Sequence, residues 1–151
     1  MTGHPALDDL RRRYPGAETF TFGDGRALCD RLLALVRAGT KTATCGAHRD
    51  FTEGGEALPV AGRRDIALDW DGAPALVIET VEVTTRRFRD VDAGFALAEG
   101  EDATLEGWQA GHRAYFERNG GWHPDMELVC ERFRLIEDLA GKENALCSAR
   151  S

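Results

Sequence analysis

Between Gly39 and Thr44 the chain reads Gly-Thr-Lys-Thr-Ala-Thr, with an amine and three hydroxyls just past the end of a leucine-rich segment. Those groups could line a small polar pocket, and one of the hydroxyls could serve there as a nucleophile. A threonine hydroxyl becomes a nucleophile when a neighbouring base takes its proton. Lysine can be that base if burial or nearby positive charge depresses its ammonium pKa. A carboxylate from elsewhere would position the water, the lysine or a leaving group's proton. Backbone N–H groups at a glycine turn such as Gly39 would receive the oxyanion. Regular strand alternation puts Lys41 and Thr44 on opposite faces, so a turn or bulge has to bring them together. Thr42, on the same face as Thr44, is the competing hydroxyl.

The elements that must hold these residues follow from periodicity. Leu7, Leu10 and Tyr14 mark a short first helix, stopped by Pro15-Gly16. Leu28, Leu32, Leu35 and Val36 recur on one face of a second helix, with Asp24 as its N-cap and Gly39 as its stop. The β-branched run from Thr40 to Ala47 reads as a strand leaving that helix. A glycine- and proline-punctuated loop covers Asp50 to Arg64. Two strands follow, from Asp65 and from Pro74, joined at Asp71-Gly72, a hairpin signal. A short helix starts near Val91, and an acidic turn carries Glu99 and Glu101. Thr104 caps a helix bearing Leu105, Trp108, His112, Tyr115 and Phe116, which stops at Asn119 to Gly121. A last extended run alternates Val129, Glu131, Phe133 and Leu135. Strands outnumber and separate the helices without βαβ spacing, which predicts an α+β fold with a mixed or antiparallel sheet curled toward a small β-barrel with flanking helices. Residues 1–18 read as an N-terminal helical extension, 19–138 as the domain and 139–151 as a flexible C-terminal tail.

Bulk properties narrow the function. At 151 residues, 42% hydrophobic and 30% charged, the chain is large enough for one packed core. Its four cysteines form no CxxC pair and its four histidines show no metal spacing, so reduced thiols and no bound metal or other cofactor are expected. The start of the chain lacks the apolar core of a signal peptide and no run spans a bilayer, which predicts a cytoplasmic protein without membrane partners. A net charge of −7 repels polyanions and argues against extended duplex DNA as a partner. A local basic run at Arg86, Arg87 and Arg89 could still hold a nucleoside or short RNA. Trp122 and His123, in a glycine-rich loop, are candidates to stack on a flat ring.

The order Phe22-Gly23-Asp24, then Gly39-x-Lys41-x-x-Thr44, then the acidic stretch before Trp108, then Glu127 to Ile136 resembles the ASCH family, whose domain has a PUA-like fold. The resemblance covers Thr19 to Ile136. Family roles centre on RNA: some small bacterial members are amidohydrolases of N4-acetylcytidine, others are ribonucleases, others binding modules. The resemblance implies Lys41, Thr44 and Glu101 as catalytic residues, with Glu99 as the other register for the acid. Gly39, Thr42, Arg49, Arg86 and Trp122 are the residues expected around a ligand. Many members carry an arginine two residues past the motif threonine; here that place is Gly46, and Arg49 or His48 would have to stand in.

Overall fold

The computed structural model describes residues 5–139. Its elements are α1 (Pro5–Arg13), β1 (Thr19–Thr21), α2 (Arg26–Arg37), β2 (Ala43–Ala47), α3 (His48–Thr52), β3 (Arg64–Leu68), β4 (Pro74–Arg87), a 3-10 turn (Phe88–Asp90), α4 (Ala93–Ala98), α5 (Leu105–Arg118) and β5 (Glu127–Asp138). The tail beyond Leu139, with Cys147, lies outside the described residues, as does His4.

One mixed sheet organises the chain, in the order β1-β3-β4-β5-β2. Among the described residues only β1 and β3 run parallel; every other pairing is antiparallel. β1 and β2 are the two ends of the sheet, so it does not close into a ring, and the α+β architecture is compatible with a PUA-like fold. The Asp71-Gly72 hairpin forms as the sequence predicts. The Asp69 carboxylate accepts from the N–H groups of Asp71 and Ala73 at 3.0 and 2.9 Å, and Gly72 takes a φ of +87°. β4 is long enough to bend because its register with β5 shifts twice, between Val77 and Ile78 and between Thr80 and Glu82.

Period-two alternation divides the core between the sheet's faces. On one side Ala67, Leu76 and Ile78 meet Cys29, Leu32, Leu33 and Val36 of α2. On the other, Ile66 and Val77 meet Leu10 of α1. Each buried leucine of α2 contributes roughly 1.5–3 kcal/mol. A further cluster packs Phe95, Trp108 and Phe116 of the later helices against Ala43, Ala47 and Leu128 at the β2–β5 end.

The helix ends show how local signals compete. Thr104 caps α5 as expected, its hydroxyl accepting from Gly107 N–H at 3.0 Å. Asp24 does not cap α2: the N-cap is Gly25 with no side-chain bond, because the Asp24 carboxylate is held by Arg118 and Asn119, both at 2.7 Å. Helix α3 falls where the sequence reads as strand end and loop. Among the described residues no helix is long and apolar enough to cross a membrane.

Candidate functional site

The path from α2 to β2 resolves the parity problem. Gly39, at φ +78°, ends the helix, and the N–H groups of Thr40 and Lys41 both turn back to the Leu35 carbonyl at 3.0 and 3.1 Å. Strand geometry begins only at Ala43, so Lys41 is not bound by strand alternation. Thr42 N–H then donates to the Ala98 carbonyl at 2.8 Å, which pins the end of α4 beside this turn.

That pin delivers the acids. Lys41 is 1% exposed, and its Nζ donates to Glu99 Oε1 at 3.1 Å and Glu101 Oε2 at 3.0 Å. The other oxygen of Glu99 accepts from Trp108 Nε1 at 2.8 Å and lies 3.4 Å from His112 Nε2. The opposite ring nitrogen, Nδ1 of His112, faces the Trp108 carbonyl at 3.0 Å, and the imidazole stacks on the indole with centroids 4.3 Å apart. Glu101 is the acid that keeps some exposure, 14% of its side chain against 1% for Glu99.

Both acids face a cavity of about 380 Å³. Thr44, Cys45 and Gly46 of β2 form one wall, His112 and Tyr115 of α5 another, and Glu131 of β5 a third. Thr44 and Glu131 are direct cross-strand partners. The volume lies in the roughly 300–1,000 Å³ range of small-molecule sites.

Electrostatics sets the protonation states. For Lys41, burial is the largest influence and lowers the pKa, but the charges of Glu99 and then Glu101 outweigh it, and the ammonium sits above its ordinary value. For Glu99, burial pushes upward, while Lys41 and the hydrogen bonds from His112 and Trp108 bring the carboxyl down to about 2. His112 is likewise opposed by burial yet raised above its ordinary value by Glu99 and Glu101. Cys45 is driven well above the usual thiol value, first by burial and then by the charge of Glu99, so its thiol is neutral. The depressed lysine that a Lys41 base requires is therefore not what this site holds. Two anions surround Lys41 and keep it an ammonium.

The signs give a stability profile. Glu99, depressed from 4.5 to about 2, adds stability that is complete above pH 4.5 and drains away as pH falls toward 2. His112, raised from 6.5, adds stability that is complete below pH 6.5 and is lost as pH rises through its higher folded value. Urea midpoints should therefore be highest between these limits. Glu99→Gln should shrink the acid limb of that profile, and an unchanged limb would contradict the assignment.

Gly100 joins the two acids with a φ of +74°, and a Cβ there would lie 2.5 Å from the Thr40 carbonyl oxygen. Gly100→Ala should therefore destabilise the domain by about 1–3 kcal/mol, read as a lowered urea midpoint.

Several residues expected near a ligand lie elsewhere. Arg49 Nη2 donates to the carbonyls of Gly121 and Asn119 at 2.7 and 3.3 Å, outside the cavity wall. His48 faces a separate groove with Thr52 and Met126. No stand-in arginine fills the place beyond Gly46: the Phe51 ring does, 3.0 Å from where a Cβ would sit. Arg86 pairs with Asp92 at 3.3 Å and borders a different groove. Trp122 stands perpendicular to Phe88, with the Arg113 guanidinium 4.2 Å over its ring, and lies outside the cavity wall. Thr42 is exposed and outside the cavity, and Gly39 contributes its turn rather than a wall. Conversely, the sequence reading assigned no site role to His112 or Glu131.

Cys45, Glu99 and His112 place one donor atom each within 4.8 Å of one another, a set that sequence spacing could not reveal. Both oxygens of Glu99 already serve Lys41, Trp108 and His112, and the adjacent ammonium opposes a dication. The donor set thus fits a metal poorly.

Fold and site together define a PUA-like α+β domain with a polar cavity at its helix-to-strand junction. Residues 18–137 match the family model of the ASCH domain, and the chain belongs to that family. Protein EF3133 of Enterococcus faecalis V583 is similar in structure, with a TM-score of 0.79, 31% identity and coverage of 91% of this chain and 90% of that one. An ASCH domain from Lactobacillus crispatus JV V101 aligns with a TM-score of 0.73, 28% identity and 84% coverage of both chains. No curated protein matches the chain.

Proposed function

We propose that the cavity binds a nucleoside-sized ligand and hydrolyses an N-acylated nucleoside of the N4-acetylcytidine type. The observation that carries this reading is the 3.0 Å contact of the buried Lys41 with Glu101, an acid that lines a ligand-sized cavity whose wall also bears Thr44. Thr44 Oγ1 makes no hydrogen bond to another described residue, which leaves the hydroxyl available to a substrate.

Roles follow from the charges. Lys41, fully buried and cationic, orients both acids and holds Glu99 ionised. Glu101, the more exposed acid, takes the Thr44 proton as the oxygen attacks the amide carbon. The C–N bond breaks, and the leaving nitrogen takes a proton from His112 Nε2. Water then attacks the acyl-threonine, giving a proton to His112, while the threonine oxygen recovers one from Glu101. Acid and amine leave, and the site is restored. Incubation with N4-acetylcytidine should release cytidine and acetate in equal amounts; no release at any protein concentration would end the reading.

The alternative, an RNA-binding or ribonuclease surface on the basic run, is less well supported. Arg89 and Arg87 reach Asp125 at 2.8 and 4.0 Å and Arg86 reaches Asp92, so local acids offset those charges. It would require steeply salt-dependent RNA affinity that falls on neutralising Arg86 and Arg87.

A further inference from the structure

Glu131 interrupts an apolar alternation, Val129-x-Glu131-x-Phe133, on a strand whose neighbours pack into the core. Such a position ordinarily carries an apolar residue. The side chain is partly buried and lines the cavity opposite Thr44. Its one hydrogen bond among the described residues comes from Thr80 Oγ1, which donates to Oε2 at 2.7 Å. Oε1 is left for whatever occupies the cavity.

Building on the proposed nucleoside reading, we propose that Glu131 recognises the ligand's ring edge, specifically an edge that sets a hydrogen-bond acceptor beside an N–H donor, as N3 and N4–H of an N4-acylcytosine do. A neutral carboxyl can donate through Oε1 and accept at Oε2, whose second lone pair is not used by Thr80. Burial, with the charge of Asp65, raises the Glu131 pKa above its ordinary value and favours that neutral form. Thr80, Arg63 and Lys41 pull the other way without reversing it. The remaining titratable groups around the cavity are Arg31 of α2, Glu99 and Glu101 before α5, and Cys45, Asp50, Glu56, Asp102, His112, Tyr115 and Arg118 further round the wall. A carboxyl so placed also explains how the ring would lie against Thr44: the acyl group on N4 is the substituent adjacent to the recognised edge, and Thr44 is the cross-strand neighbour of the residue reading it.

The test is equilibrium binding of cytidine and of N4,N4-dimethylcytidine, which keeps the ring and the acceptor but lacks the donor. Wild-type protein should prefer cytidine by about tenfold or more, the worth of one buried hydrogen bond and the group it would leave unpaired. Glu131→Leu should abolish the preference. Glu131→Gln, whose amide also donates and accepts, should keep it, and should flatten the weakening of cytidine binding that wild type shows as pH rises and the carboxyl ionises. A Glu131→Leu variant that is folded and still prefers cytidine as strongly as wild type overturns the assignment. So does a wild type that binds both nucleosides equally. Failure of the underlying reading looks different: neither cytidine binding nor release of acetate from N4-acetylcytidine by the wild-type protein.

Discussion

Lys41→Met should cost the domain about 3–5 kcal/mol of unfolding free energy, the largest stability loss expected of any single change at this site. The substitution keeps most of the side chain's volume and removes only the ammonium. What it leaves is the Glu99 carboxylate, 1% exposed, with its Trp108 and His112 contacts but without the cation 3.1 Å away. Such a group must either stay charged in an apolar surrounding or take up a proton, and each route is unfavourable at neutral pH. Denaturation by urea reads the loss as a lower midpoint. The double variant Lys41→Met/Glu99→Gln should recover a good part of it, since the amide oxygen can still accept from Trp108 and no charge is stranded. If the double variant is no more stable than the single one, the damage comes from packing and the charge argument fails.

Glu101→Gln should lower turnover of N4-acetylcytidine by about 10²–10⁴-fold, the usual worth of a positioned general base, with little change in fold. Its backbone carbonyl, which accepts from Arg31 at 2.8 Å, is untouched by the substitution. The amide can still accept from Lys41. The loss should appear in kcat with KM nearly constant, because the proton transfer matters in the transition state and not in the ground-state complex. Thr44→Ala separates the two ways such a site can work. A fall comparable to that of Glu101→Gln supports the acyl-threonine route. Full activity in Thr44→Ala would mean that Glu101 activates water directly, and the threonine would drop out of the mechanism.

Local signals made much of this architecture legible. The Asp71-Gly72 turn, the Thr104 cap and the alternation in β3 and β4 each involve residues within a few positions of one another. The parallel pairing of β1 with β3 was not legible: it rests on three residues, Thr19 to Thr21, whose partners lie at Ile66 to Leu68. Lys41, Thr44 and Glu101 stand out through a family pattern rather than through geometry, and Glu101 alone passes for a solvated loop charge. His112 sits on an aromatic stripe that reads as core, which it partly is, since it stacks on Trp108. Glu131 did leave a trace, an acid inside an apolar alternation. Arg49, Arg86 and Trp122 lie away from the cavity because side-chain type says what a group can touch but not which carbonyl, acid or ring will reach it first.

Three consecutive residues, Glu99, Gly100 and Glu101, carry both acids that meet the hidden ammonium, one of them buried and the other partly open to the cavity. The glycine between them passes so close under the Thr40 carbonyl that no side chain fits there. Any mutation that re-routes this tripeptide moves both acids at once. Adaptation to a new substrate would therefore have to reshape the opposite walls, on β2 and β5, while the loop itself stays as it is.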